Sequence, residues 1–273
     1  MPELMLLVGA GLVAGFVGGL VGVGGGIIFA PVLFFWFQTQ GVDPSVLAPL
    51  TIGTSLLCTL VVALASAWGQ HRKQAVLWPI ALGAGVCSAA SIYAMTRWVT
   101  TAPWYDGTVF QVVFSLLLLV VVFRMLRASA PAPANDEAAA KPNRSIIAGT
   151  GLVTGLVSSS VGVGGGVVLV PSYNALLRLP IHRAVGTSSA TIIVVALVGV
   201  VTYLVQGLGT AALPEQTLGY VDVGRALLMA VPAIPAAQVG VVVAHRFDRR
   251  RLRRSFGILA LLVALNLLWQ IVA

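Results

Sequence analysis

The sequence predicts an all-α polytopic membrane protein made of two inverted repeats, each a glycine-broken, re-entrant segment plus three transmembrane helices. Three observations carry this prediction. Of 273 residues, 58% are hydrophobic and only 9% are charged. Apolar stretches of membrane-spanning length recur along the chain, and a Gly-Val-Gly-Gly-Gly run occurs twice, in stretches that align with each other.

A soluble domain carries roughly a quarter charged residues, so this chain cannot cover itself with a water-facing surface. The composition excludes a soluble enzyme, a disordered tail and a secreted disulfide scaffold. At about 20 residues per helix, the chain holds roughly eight to ten membrane segments with no appended soluble domain. Met1-Pro2-Glu3 lacks the basic region of a cleaved signal peptide, so the amino terminus is expected to stay in the first membrane segment.

Apolar segments fall at residues 4–37, 46–69, 75–96, 107–126, 146–177, 184–206, 222–245 and 255–272. Between the fourth and fifth, Ala128 to Asn143 is rich in Ala and Pro and carries Asp136, Glu137 and Lys141, the composition of a flexible linker. The expected units are a first membrane repeat at 1–127, a linker at 128–144 and a second repeat at 145–273. The halves repeat each other: GFVGGLVGVGGGIIFAP at 15–31 and GLVSSSVGVGGGVVLVP at 155–171 share nine of seventeen positions. Gly53-Thr54-Ser55 then matches Gly186-Thr187-Ser188, and Arg97 aligns with Arg246.

Segments 4–37 and 146–177 are too long for one ordinary span. Each is interrupted by three consecutive glycines, which disfavour a continuous helix by about 1 kcal/mol apiece, so each is expected to break there. The basic residues test what the broken segments do. If both cross the bilayer, seven basic residues (Arg72, Lys73, Arg124, Arg127, Lys141, Arg144, Arg225) face nine on the other side (Arg97, Arg178, Arg183, Arg246, Arg249, Arg250, Arg251, Arg253, Arg254). If both turn back, fourteen gather on one face and only Arg97 and Arg225 lie opposite. The positive-inside bias favours the second arrangement. It puts the linker and the Arg246–Arg254 loop in the cytoplasm and makes the halves opposite in orientation, the plan of secondary transporters.

The net charge of +8 sits at helix ends with no aromatic interleaving, so it reads as topogenic and nucleic acid is excluded as a partner. Cys58 and Cys87 lie in apolar stretches without metal-ligand spacing and are expected to be packing residues. The eight acids, Glu3, Asp43, Asp106, Asp136, Glu137, Glu215, Asp222 and Asp248, fall in loops or at helix ends, so neither an intramembrane aspartyl protease nor a carboxylate proton relay is supported. His71, His182 and His245 lie at segment ends. No catalytic triad, metal or cofactor constellation is present, so no enzyme activity, no cofactor and no metal are expected.

Chemistry is left to the glycine breaks. Irregular backbone at membrane depth is tolerated where it faces protein or a wet cavity, and broken segments at corresponding positions of two repeats point to a transport site. A helix restarting after the glycines offers free N–H groups and the positive end of its dipole, which suits an anion. A phosphate-binding loop would need Lys after the run, and a dinucleotide fingerprint would need Gly at Ile27 or Val167; both are rejected. Gly11, Gly15 and Gly19, with Gly151, Gly155 and Ser159, recur at four-residue spacing as small faces for helix packing. The hydroxyls of Thr54, Ser55, Thr187 and Ser188 carry two readings, donors to an oxyanion or bonds to their own and neighbouring helices. Pro31 and Pro171 are expected to shape the short helices that follow the breaks.

The two halves, opening with GLVGVGGGIIFAP and SSVGVGGGVVLVP and each followed by GTS, resemble the sulfite exporter TauE/SafE family of membrane permeases over nearly the whole chain. The resemblance implies a bacterial inner-membrane transporter of small sulfur-containing anions, sulfite or organosulfonates. It implies Gly24, Gly25, Gly26, Gly164, Gly165 and Gly166 as lining residues of the substrate site, with Thr54, Ser55, Thr187 and Ser188 as further candidates. Gln70-His71-Arg72-Lys73 departs from the acidic and tryptophan pattern often found in that loop. The expected partners are the small anion, membrane lipid and, for an assembly, further copies of this chain. Alternative readings are an anion channel or uniporter, and an accessory membrane protein whose Arg249–Arg254 run meets a partner or anionic lipid.

Overall fold

The computed structural model describes residues 2–102, 104–127, 143–214 and 216–244, with Leu261 and Leu265. Residues 128–142 of the linker expected at 128–144, the Arg246–Arg254 cluster and, apart from those two leucines, segment 255–272 lie outside the described residues. Nine helices are formed among the described residues: α1 Pro2–Val21, α2 Gly26–Thr39, α3 Pro44–Arg72, α4 Trp78–Met95, α5 Gly107–Arg127, α6 Arg144–Val161, α7 Gly166–Ala175, α8 Ile181–Gly207 and α9 Val223–Ala244. A turn of π-helix, Thr96–Thr100, follows α4.

Five stretches, Leu4–Val21, Pro44–Arg72, Trp78–Thr100, Ile181–Gly207 and Val223–Ala244, are long and apolar enough to cross a membrane. The chain is therefore an all-α polytopic membrane protein. The two overlong apolar segments are each divided at the glycine run, into α1 and α2 and into α6 and α7.

Local sequence explains where helices begin. Asp43 caps α3, its carboxylate accepting from Ser45 N–H at 2.8 Å and from the Ser45 hydroxyl at 2.6 Å, with Pro44 in the first turn. Asn143 caps α6 through Ser145 N–H at 3.0 Å, and the Asp106 carboxylate accepts from Val109 N–H at the start of α5. Each cap satisfies an amide that the helix leaves free.

The outward face is apolar. Leu197, Val201 and Val205 of α8 are exposed at four-residue spacing, as are Leu82 and Val86 of α4 and Leu227 and Val231 of α9. A water-soluble surface would not tolerate such continuous patches. Tryptophans mark the ends: Trp68 and Trp78 are exposed where α3 passes to α4, with the Arg72 guanidinium 5.0 Å from the Trp68 ring centroid, and Trp98 and Trp104 are exposed between α4 and α5. Aromatic and basic residues of this kind sit at membrane–water interfaces.

Contacts fix the direction of each helix. Thr54, Cys58 and Ala65 of α3 meet Asp222, Ala226 and Gln238 in order, so α9 runs parallel to α3. Gly11, Gly15 and Gly19 of α1 meet Met229, Ala233 and Ala237, so α1 is parallel to both. In α2 the Phe34 ring stacks on Phe110 at the start of α5, with centroids 5.1 Å apart, and Thr39 leads through a short turn into α3. The start of α1 and the finish of α2 thus share the end of the bundle where α3 begins.

The second half is arranged about the opposite end. Ile147 of α6 meets Gly83, Gly151 meets Ala84 and Gly155 meets Ser88, so α6 runs parallel to α4 from the end where α3 finishes. There α7 leads into α8, whose Gly186 lies on Ala75. The four-residue spacing of these glycines is explained by backbone approach: a methyl at Gly15 would lie 2.7 Å from Ala233 Cα, and one at Gly155 would lie 2.5 Å from the Ser88 carbonyl.

Candidate functional site

The two breaks have the same backbone. Gly22, Gly24 and Gly25 have φ of 74°, 80° and 80°, and Gly162, Gly164 and Gly165 have φ of 74°, 72° and 77°. These are left-handed conformations that cost other residues roughly 1–2 kcal/mol each. Three per break explain why the chain carries glycine there.

The breaks lie face to face. A methyl at Gly26 would stand 2.6 Å from Val163 Cα, and one at Gly166 would strike Val23 Cα. Gly24 and Gly164 share two neighbours: the Thr59 methyl lies beside both, 2.7 Å from a methyl at Gly24, and Ile192 Cγ2 would be 3.3 and 3.1 Å away. Thr59 and Ile192 occupy corresponding positions of α3 and α8, as do Ser55 and Ser188.

Hydroxyls tie each break to the opposite half. Ser55 donates to the Gly162 carbonyl at 2.8 Å, and Ser188 donates to the Gly22 carbonyl at 2.9 Å. Thr54 accepts from Asp222 N–H at 2.9 Å, and Thr187 accepts from Leu77 N–H at 3.1 Å. These two bonds satisfy amides at the starts of α9 and α4. The sequence-predicted hydroxyl residues are therefore brought to the breaks or beside them, and in this conformation each is bonded to backbone.

At the breaks, many carbonyls find donors while the helix starts are left open. Gly18 and Ser158 carbonyls accept from Gly22 and Gly162 N–H at 2.9 and 2.8 Å. Tyr203 and Tyr105 donate to the Ser159 and Ser160 carbonyls, the latter at 2.6 Å. By contrast α2 and α7 begin at N-cap Gly25 and Gly165 with no side-chain cap, and their first bonds are given by Ile28 and Phe29 to Gly25 and by Val168 and Leu169 to Gly165. Two helix starts thus meet, while tyrosines bond two carbonyls at the end of α6 and Ser188 bonds the Gly22 carbonyl that follows α1. The junction can attract an anion without a buried lysine or arginine.

Pro31 and Pro171 each stand at the sixth residue of the short helix after a break. Cys58 is buried with its thiol on the Ala226 carbonyl at 3.6 Å, and Cys87 is half-buried beside Gly151. Asp222 is buried at the start of α9 and ion-paired to Arg225 at 2.7 Å.

Sequence reasoning missed Thr59. Its hydroxyl is buried without a hydrogen-bond partner, as are those of Thr154 and Ser158 near the second break. The available signal was its spacing: Thr59 stands one helical turn beyond Ser55, on the same face of α3.

The sequence has relatives throughout this architecture. A probable membrane transporter protein of Haemophilus influenzae is 26% identical over 267 residues, covering 97% of each chain. One of Methanocaldococcus jannaschii is 27% identical over 92% of this chain and 90% of its own, and one of Bacillus subtilis is 27% identical over 75% and 80%. No solved structure matches the chain. The model of the family described as "Sulfite exporter TauE/SafE" matches residues 7–267. With its helices, paired breaks and almost its full length accounted for, this membrane transporter belongs to the sulfite exporter TauE/SafE family.

Proposed function

We propose that the protein is a secondary transporter of small sulfur-containing anions, sulfite or organosulfonates, working by alternating access around a midplane site between the two Gly-Val-Gly-Gly-Gly breaks. The observation that carries this reading is the meeting of two uncapped helix starts, at Gly25-Gly26 and Gly165-Gly166, beside a buried hydroxyl without a partner. The amides of Gly24, Gly25, Gly26, Gly164, Gly165 and Gly166 hold the anion. Ser55 and Ser188 set the breaks through the Gly162 and Gly22 carbonyls, and Thr54 and Thr187 anchor the flanking helices.

In this reading residues 1–127 and 145–273 are inverted repeats, each entered by a re-entrant pair, α1 with α2 and α6 with α7. The directions of α1, α2, α6 and α7 support it. The linker and the Arg246–Arg254 loop face the cytoplasm of a bacterial inner membrane, the side that the positive charge favours. Val163 packed on Gly26 and Val23 packed on Gly166 close the junction, and rocking one repeat against the other opens it to each face in turn. The test is sulfite and sulfonate uptake into vesicles reconstituted with the full chain. Saturable uptake supports a carrier, and non-saturating flux indicates a channel.

A further inference from the structure

Resting on the anion transport proposed above, we infer that this transport is coupled to protons. Asp222 takes up one proton for each singly charged anion carried, and its partner Arg225 balances the charge.

By sequence Asp222 falls at a helix end, where an acid is expected in water. The fold closes it off instead. The Tyr220 carbonyl and the Asp222 amide lie on Gly53 and Thr54 of α3, about 15 Å of helix beyond the start of α3 at Pro44. Asp222 is 1% exposed, whereas Asp43 and Asp106 are exposed. One of its oxygens accepts from Arg225 N–H at 2.9 Å, and the other is ion-paired to the Arg225 guanidinium at 2.7 Å. Thr54, which holds the Asp222 amide, precedes Ser55, which holds the Gly162 carbonyl of the second break. Two consecutive residues of α3 thus join the ion pair to the proposed anion site.

Capping α9 does not require a charge, since Asn143 caps α6 with a neutral side chain. A buried ion pair carries a desolvation cost that a neutral cap avoids, so a carboxylate here fits a need for a group that changes charge. The pair also sets the stoichiometry. In the empty site Asp222 and Arg225 cancel. A proton added to a carboxylate oxygen leaves the Arg225 charge uncompensated, and one singly charged anion at the breaks cancels it. A proton alone or an anion alone leaves a net charge within the membrane, which is costly, so the protein changes face either empty or carrying both.

Other titratable groups surround the pair. The Cys58 thiol of α3 lies on the Ala226 carbonyl, and Tyr220 N–H donates to the carbonyl of Tyr203 of α8. On α1, the register that sets Gly11 on Met229 and Gly15 on Ala233 brings Glu3 level with the start of α9. Thiols and phenols ordinarily keep their protons at neutral pH, which leaves Asp222 and Glu3; of these, Asp222 holds the arginine.

The test is methanesulfonate uptake by vesicles carrying the full-length wild type, Asp222→Asn or Glu3→Gln, with a pH dye inside and an imposed pH gradient or membrane potential. Wild type and Glu3→Gln should accumulate the anion about tenfold for each pH unit by which the interior is more alkaline, acidify the interior as they do so, and ignore the potential. Asp222→Asn, fixed in the neutral form, should lose this net uptake yet still exchange internal for external methanesulfonate, because only its loaded form is neutral. Wild-type accumulation that ignores the pH gradient, or that follows the potential, overturns the coupling without recourse to a variant. Wild-type gradient dependence in Asp222→Asn, its loss in Glu3→Gln, or loss of exchange by a folded Asp222→Asn protein overturns the role of Asp222. All of these leave the transporter reading intact, whereas a folded wild type that takes up no sulfur anion under any gradient overturns both.

Discussion

Ser55 of α3 gives its hydroxyl hydrogen to the carbonyl of Gly162, 107 residues away, at 2.8 Å, and Ser188 of α8 does the same for Gly22 at 2.9 Å. Each half therefore holds the break of the other. A carbonyl buried in the membrane interior has no water to turn to.

Ser55→Ala and Ser188→Ala should each lower stability by about 1–3 kcal/mol, the cost of leaving a buried acceptor unpaired. The two losses should be similar. Thermal or chemical unfolding of the purified protein in detergent measures them, and a neutral result at either serine would show that its bond carries no stability.

Gly25→Ala and Gly165→Ala should be far more damaging than Gly9→Ala or Gly149→Ala. The first pair have φ of 80° and 77°, and a methyl at Gly25 would stand 2.7 Å from the Ala14 carbonyl; the second pair have nothing within 4 Å. Alanine at 9 or 149 should be neutral or stabilise by up to about 1 kcal/mol, the helix preference over glycine. Yield of monodisperse protein and its unfolding midpoint separate the two groups.

Thr54→Val and Thr187→Val remove acceptors from the amides of Asp222 and Leu77. Each should cost about 1 kcal/mol, in the range of a lost helix cap. Hydrogen exchange at the starts of α9 and α4 should rise in the respective variant, with the opposite helix unchanged.

Much of this was legible in the sequence because it depends on local chemistry. Hydropathy located the helices among the described residues to within a few residues, and the glycine run marked each break because Gly22, Gly24 and Gly25, like Gly162, Gly164 and Gly165, take left-handed φ, while Gly26 and Gly166 give room for the opposite backbone. The partner of a hydroxyl is set by folding, so Ser55 read equally well as an anion ligand or a backbone donor. Thr59 lies outside the pattern the repeats share, since Ile192 stands at its place in the second half. The segment 146–177, too long for one span and expected to break at its glycines, forms an 18-residue and a 10-residue helix on either side of them.

The most direct test of the site between the breaks is the rate of sulfite and alkylsulfonate uptake by vesicles carrying wild type, Gly24→Ala and Gly164→Ala, each confirmed to be folded and inserted. A methyl at either position meets the Thr59 side chain and fills the junction. The account predicts saturable uptake by the wild type and its loss in both variants. Uptake by both variants at the wild-type rate, or none by the wild type, would contradict it.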